Sequence, residues 1–203
     1  MPLRQSAYRQ KALAELVLAP LPRSDMIELA ALFLSRWQPS LSGNLAEDGE
    51  YLGDWCYLRS EGNPFFAVEW LSLAAEELAA GRNLPNALIP EPVERLVKTQ
   101  LELLSRDATA LLSAAACLGP SFHLLTAAAL IELDTRTTLA ANDELVKRAF
   151  IVEIPATPHG HYAFTHHFVR DIVLTTMSST QQHLMQQLMN ALETKTLAAV
   201  EPR

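Results

Sequence analysis

The sequence predicts a mainly helical fold carrying one small β-hairpin. Three observations predict it. Apolar residues recur at helical spacing along most of the 203 residues. Proline or glycine bounds most of these runs. The sharpest strand-like patterning is confined to residues 150–154 and 161–165, which flank the turn-rich segment 155–160.

The elements follow in order. Residues 15–19 form a brief apolar run ending at Pro20 and Pro22, consistent with a strand or the end of a helix. Ser24-Asp25 then reads as an N-cap, with Glu28 in capping-box spacing. Met26, Ile27, Ala30, Phe33, Leu34 and Trp37 continue at helical spacing until Pro39. Residues 40–53 are polar, acidic and glycine-containing, and read as a surface loop leading into a short helix at 54–60. Gly62 stops that helix, Asn63 caps the next, and Pro64 suits its first turn, where no amide proton is needed. Phe65, Phe66, Val68, Trp70, Leu71 and Leu78 make this helix broadly apolar up to Gly81.

A proline-marked linker, residues 84–90, precedes a helix starting at Pro92 with Val93, Leu96, Val97, Leu101 and Leu104 on one face. Ser105 or Asp107 starts another, closed by Gly119. Runs at 123–133 and 135–148 complete the cluster, the hairpin follows, and helices at 166–176 and 179–196 end the chain. Helices, a β-hairpin and further helices in this order describe a winged-helix unit inside a mostly helical chain.

Composition narrows the function classes. A chain of this size buries roughly 70% of the surface its unfolded form exposes, enough for one good core or two small units. With 49% apolar residues it is not a disordered tail. A net charge of -7 opposes a broad basic face for gripping nucleic acid. Residues 108–131 contain no Asp, Glu, Lys or Arg, yet Gly119-Pro120-Ser121 interrupts them, so they read as two packed helices rather than a membrane span. The first ten residues lack the apolar run of a signal peptide. Cys56 and Cys117 sit apart among apolar residues and are expected as buried, reduced thiols, in keeping with a cytoplasmic location.

Several strings, taken in order, carry a resemblance. They are Gly62-Asn63-Pro64-Phe65-Phe66, then Leu84-Pro85, then Ile89-Pro90-Glu91-Pro92-Val93-Glu94-Arg95-Leu96-Val97. Leu118-Gly119-Pro120-Ser121-Phe122 and Phe164-Thr165-His166-His167-Phe168-Val169-Arg170-Asp171 close the series. Over residues 18–193 the chain resembles the C-terminal half of the ATPase module of STAND-type, AAA-like signalling NTPases. Such modules occur in large LuxR-type transcription regulators and in ATPases linked to cyclase or kinase domains.

The resemblance implies a helical lid over residues 1–83, a winged-helix subdomain over 84–178 and a C-terminal helix over 179–203. It implies that Gly62, Asn63 and Pro64 form the element that sets a proline against adenine, and that His166 approaches the diphosphate. His167 stands where relatives carry an acidic residue, a departure from the motif. ATP or ADP is expected as cofactor only when a P-loop half completes the site. The implied partners are that half or other protein domains; the interrupted uncharged stretch and the acidic balance give no expectation of a membrane and little of DNA.

The residues bear on chemistry independently. No G-x-x-x-x-G-K-[ST] string occurs, so the amide-and-lysine phosphate cradle is missing and hydrolysis by this chain alone is not expected. No G-x-S-x-G elbow occurs, and no cysteine stands near an evident base. No catalytic residue is therefore assigned. Glu47, Asp48 and Glu50 read as solvated loop charges. His159, His161, His166 and His167 fall close together, but no Cys or acidic ligand completes a set, and no metal site is assigned. Arg170 is expected to pair with an acidic neighbour and hold the winged helix to the lid.

Two other functions stay open on the residues. A free-standing winged-helix DNA-binding protein would use residues 135–148, with Arg136, Lys147 and Arg148 as contacts. A helical protein–protein adaptor would use Leu184, Met185, Leu188 and Met189 as an exposed docking face.

Overall fold

A computed structural model describes residues 18–37, 45–84, 88–155 and 159–200. Chain contacts divide it into two units, residues 1–85 and 86–203. The fold is mainly helical with a small antiparallel sheet, as the patterning predicts.

The first unit holds three helices, α1 (Arg23–Trp37), α2 (Leu45–Ser60) and α3 (Pro64–Ala79). Helix α1 begins before the expected cap: the Pro22 carbonyl already accepts from Met26 N at 3.1 Å. Ser24 Oγ donates to Asp25 instead of capping. Starting at residue 23 lets the Arg23 guanidinium reach the Asp54 carboxylate, with Nε and Nη2 each 2.6 Å from an oxygen. Met26, Ala30 and Leu34, one turn apart, are buried. In the preceding segment, residues 15–17 lie outside the described residues, and Leu18 and Ala19 adopt no regular structure.

Helix α2 corrects the sequence reading. Residues 45–53 are its first half and not a loop, which places Asp48 and Glu50 on a helix; residues 40–44 lie outside the described residues. The glycines that suggested a loop serve a close helix contact. A Cβ on Gly53 would stand 2.6 Å from Ile27 Cα, and one on Gly49 would stand 3.1 Å from Ala31 Cβ. Both face α1 one turn apart, so the two helices meet nearly backbone to backbone, a proximity that larger side chains forbid. Helix α3 buries Phe66, Ala67, Trp70, Leu71, Ala74 and Ala75. Each fully buried large side chain there stabilises by roughly 1.5–3 kcal/mol.

The second unit runs α4 (Glu91–Glu102), α5 (Arg106–Leu118), β1 (Ser121–His123), α6 (Leu124–Leu130) and α7 (Thr135–Lys147). The hairpin strands β2 (Ile151–Glu153) and β3 (His161–Phe164) follow, then α8 (His167–Thr176) and α9 (Ser179–Val200). Helix α5 is the hub, touching α6, α7, α8, α9 and β1. The uncharged stretch is therefore two helices with a strand between them, where a plain joint at Gly119 was expected. Strand β1 makes the sheet three-stranded, in the order β1-β3-β2 with both pairings antiparallel. One face packs Phe122, Ile151, Tyr162 and Phe164 into the core, with Phe122 and Tyr162 rings stacked at 6.3 Å. Among the described residues no helix is long and apolar enough to cross a membrane.

Carboxylates fix α7 at two points. Asp134 caps its start, accepting from Arg136 N, Thr137 N and Thr137 Oγ1 at 2.9, 3.2 and 2.6 Å. Glu144 accepts from Ser105 N at 3.2 Å, which ties α7 to the cap of α5. The bonds from Thr137 hold the Asp134 carboxyl below its ordinary value of 3.8. The bond from Ser105, helped by Arg148, holds Glu144 below 4.5. Because both values fall on folding, their contribution is complete above the ordinary values and is lost as pH falls through the lowered ones. Helix α7 should therefore lose hydrogen-exchange protection on acidification below about pH 4, earlier than α5 does. An Asp134→Asn chain, which keeps a capping oxygen without the titration, should show a weaker pH dependence. Equal acid sensitivity in parent and variant would remove Asp134 from this account.

The thiols differ from expectation in one respect. Cys56 is fully buried, donates to the Ala67 carbonyl at 3.4 Å, and burial pushes its pKa up to about 12. Cys117 is only half-buried, with its sulfur 4.0 Å from that of Met177. Both are free.

Candidate functional site

The residues singled out by sequence fall into two places, one in each unit. Gly62, Asn63 and Pro64 join α2 to α3 in the first. Glu61 and Gly62 both take positive φ, 51° and 78°, which turns the chain sharply after Ser60. The turn packs on residues 20–21. Leu21 N donates to the Gly62 carbonyl at 2.8 Å, and a Cβ on Gly62 would lie 2.6 Å from Leu21 O. Glycine is thus required there twice over, by conformation and by space.

Asn63 Oδ1 accepts from Phe65 N at 3.0 Å and Phe66 N at 3.4 Å, so its side chain is occupied as the cap of α3. Pro64 at the first helical position is exposed. Phe65 and Val68 are 47% and 46% exposed, and with Pro64 they give the start of α3 an apolar surface. Beneath it Phe66 meets Trp70 edge-on with ring centroids 6.4 Å apart. Such a surface can take a flat ring by contact, while its polar backbone is already engaged in the turn.

His166 lies in the second unit, in extended backbone immediately before α8. Thr165 N donates to the Phe150 carbonyl at 3.0 Å, which fixes where β3 gives way to the helix. The half-buried His166 ring stacks on the Phe168 ring, 5.2 Å between centroids and 6° between planes. His167, which is exposed, meets the same ring edge-on at 5.7 Å. The His166 side chain does not cap the helix. First-turn amides of α8 and an imidazole therefore occur side by side, a combination that suits an anion.

Arg170 acts differently from the expected ion pair alone. Its Nε donates to the Ala116 carbonyl at 2.9 Å, in the last turn of α5, while Asp171 lies 3.8 Å from its Nη1. A guanidinium on a helix's terminal carbonyls is favoured by the helix dipole. Arg170 thus ties α8 to α5 inside the second unit.

The four clustered histidines do not converge. His161 faces His123 across β1 and β3, while His166 and His167 flank Phe168. Among the described residues no group of three or more His, Cys, Asp or Glu side chains is arranged to hold a metal ion. The exposed side of α7 carries Arg136, Leu139, Ala140, Asp143, Val146 and Lys147. Arg148 there is engaged by Glu144 at 3.4 Å. On α9, Leu184 and Leu188 are exposed as expected, but Met185 and Met189 are half-buried.

The His123–His161 pairing escaped the sequence reading because β1 did. Its one local signal was the alternation in Ser121-Phe122-His123, too short to stand apart from a helix start. Comparisons with family models, with curated proteins and with solved structures return no match.

Proposed function

We propose that this chain is the regulatory part, a helical lid followed by a winged helix, of a nucleotide-switched ATPase acting in signal transduction or transcription control in the cytoplasm. The observation that carries the reading is the element order α5-β1-α6-α7-β2-β3 with β3 central in the sheet. That is the order of a winged helix, and it is followed directly by a helix opened by His166. The exposed Pro64 at the head of α3 supports a ring-contacting role for Gly62-Asn63-Pro64 in the same reading. With no P-loop in the sequence, ATP or ADP would be held only together with a P-loop half, the partner this reading requires. Nucleotide would then bias an open–closed equilibrium through contacts made in the closed state alone.

The surface of α7 favours this over DNA binding. A recognition helix presents a face dominated by cations and polar groups to phosphate and bases, whereas on α7 Arg136 and Lys147 share the exposed side with Asp143 and with Leu139 and Val146, 54% and 42% exposed. Titration with a fluorescent ADP analogue tests the proposal. The chain alone should not bind, and the chain joined to a P-loop half should bind saturably. His166→Ala should weaken that binding about tenfold, the worth of one hydrogen bond to a charged group. His183→Ala should leave it unchanged. Tight binding by the chain alone, or retention of random duplex DNA in a low-salt gel shift, would overturn it.

A further inference from the structure

The outer face of the sheet carries a pair of imidazoles that the proposed nucleotide switch does not use. Strand β1 pairs with β3 in the register Phe122 to Tyr162 and His123 to His161. The phase of that ladder follows from two bonds, Leu124 N to the Gly160 carbonyl at 2.8 Å and Phe164 N to the Pro120 carbonyl at 3.2 Å. Antiparallel pairs alternate between hydrogen-bonded and non-hydrogen-bonded. Leu124–Gly160 and Pro120–Phe164 are therefore bonded positions, and His123–His161 falls between them at a non-bonded one. Facing side chains come closest there, with Cα atoms about 4.5 Å apart in regular sheets.

The rings use that proximity. Their centroids are 5.0 Å apart and their planes cross at 78°. Two imidazoles on one tetrahedral ion, each at about 2.0–2.1 Å through nitrogen, place their ring centroids about 5 Å apart. The turn leaves room for this: a Cβ on Gly160 would stand 3.3 Å from His123 Nε2, so the absence of a side chain there keeps the His123 nitrogen uncrowded. Both histidines are half-exposed, while their strand neighbours Phe122 and Tyr162 are buried on the opposite face. A bound ion would complete its coordination with water.

We propose that His123 and His161 form a two-imidazole site for a first-row divalent transition ion of the Zn²⁺, Ni²⁺ or Cu²⁺ kind. Imidazole donors suit these ions, and the all-oxygen preference of Mg²⁺ and Ca²⁺ excludes those two. The ion bridges β1 and β3, so it fastens a three-residue edge strand to the centre of the sheet. Binding to the folded state alone stabilises the fold by mass action.

The test is thermal unfolding of the full, tag-free chain with and without NiCl₂, ZnCl₂ or MgCl₂. Ni²⁺ and Zn²⁺ should raise the Tm by several degrees and Mg²⁺ should not. His123→Ala and His161→Ala should each abolish the shift, while a His166→Ala/His167→Ala chain should keep it. Circular dichroism checks that the single variants fold, their side chains lying on the outer face. Cu²⁺ electron paramagnetic resonance should show two equivalent imidazole nitrogens in the parent and one in either single variant. An absent shift, a shift that survives both single substitutions, or one removed by changing His166 and His167 overturns the proposal.

Discussion

A Gly53→Val chain should lose about 3 kcal/mol or more in the stability of its first unit, at the upper end of overpacking penalties. The first added carbon would sit 2.6 Å from Ile27 Cα and 2.8 Å from Ile27 Cγ1. The backbone atom cannot rotate away, so α1 and α2 must move apart and lose the packing of Met26, Ala30 and Leu34. Gly49→Ala makes the contrast. Its new carbon would meet the Ala31 Cβ at 3.1 Å, which a shift of a few tenths of an ångström relieves. Alanine also gains about 1 kcal/mol of helix propensity over glycine, so Gly49→Ala should fall within about 1 kcal/mol of the parent. All three tryptophans, Trp37, Trp55 and Trp70, lie in the first unit, so the urea midpoint by tryptophan fluorescence reads that unit. Equal midpoints for the two variants would mean that α1 and α2 are not in close contact at Gly53.

The second large effect falls in the other unit. Phe168→Ala should cost about 3–5 kcal/mol, the usual range for truncating a buried aromatic. Phe168 is 1% exposed, lies in the first turn of α8, and carries both neighbouring histidine rings. His166→Ala removes only the outer member of the stack and should cost under about 1 kcal/mol. The difference separates the buried ring that anchors α8 from the imidazole stacked on its outer side. No tryptophan reports on this unit, so amide exchange of β3 and α8 is the measurement. Full protection of α8 in the Phe168→Ala chain would show that the ring is not what anchors the helix.

Much of this fold was legible in short strings. Asn63 read as a cap and Ser105 as one of two candidate starts from their side-chain chemistry, and each proves to bond the amides of the helix it starts, whereas Asp134 was not singled out and caps α7 all the same. Helix α2 was not legible over its first half, because Gly49 and Gly53 look alike whether they loosen a chain or let another helix approach. Only the position of α1 decides between the two. Strand β1 was missed for a related reason: its three residues acquire strand character from β3, far along the chain, and carry little of their own. For the site, Asn63 and Pro64 were readable as a helix start, whereas the posture of His166 depends on a ring stacked beneath it. The Ser24-Asp25 signature misled, since the helix had already begun on the Pro22 carbonyl.

The sheet order also sets a timetable. Strand β1 pairs with β3, which is synthesised after α6, α7 and β2. During synthesis residues 121–123 must wait, with their backbone unpaired, until the hairpin has emerged. The hairpin itself forms from neighbours in sequence and can close first. Closing β1 onto it then sweeps two helices into place in one event, so the second unit should gain its sheet and its α6–α7 packing together. A translation pause before residue 161 would hold back that sheet, and α8 and α9, synthesised after β3, would pack onto α5 only later.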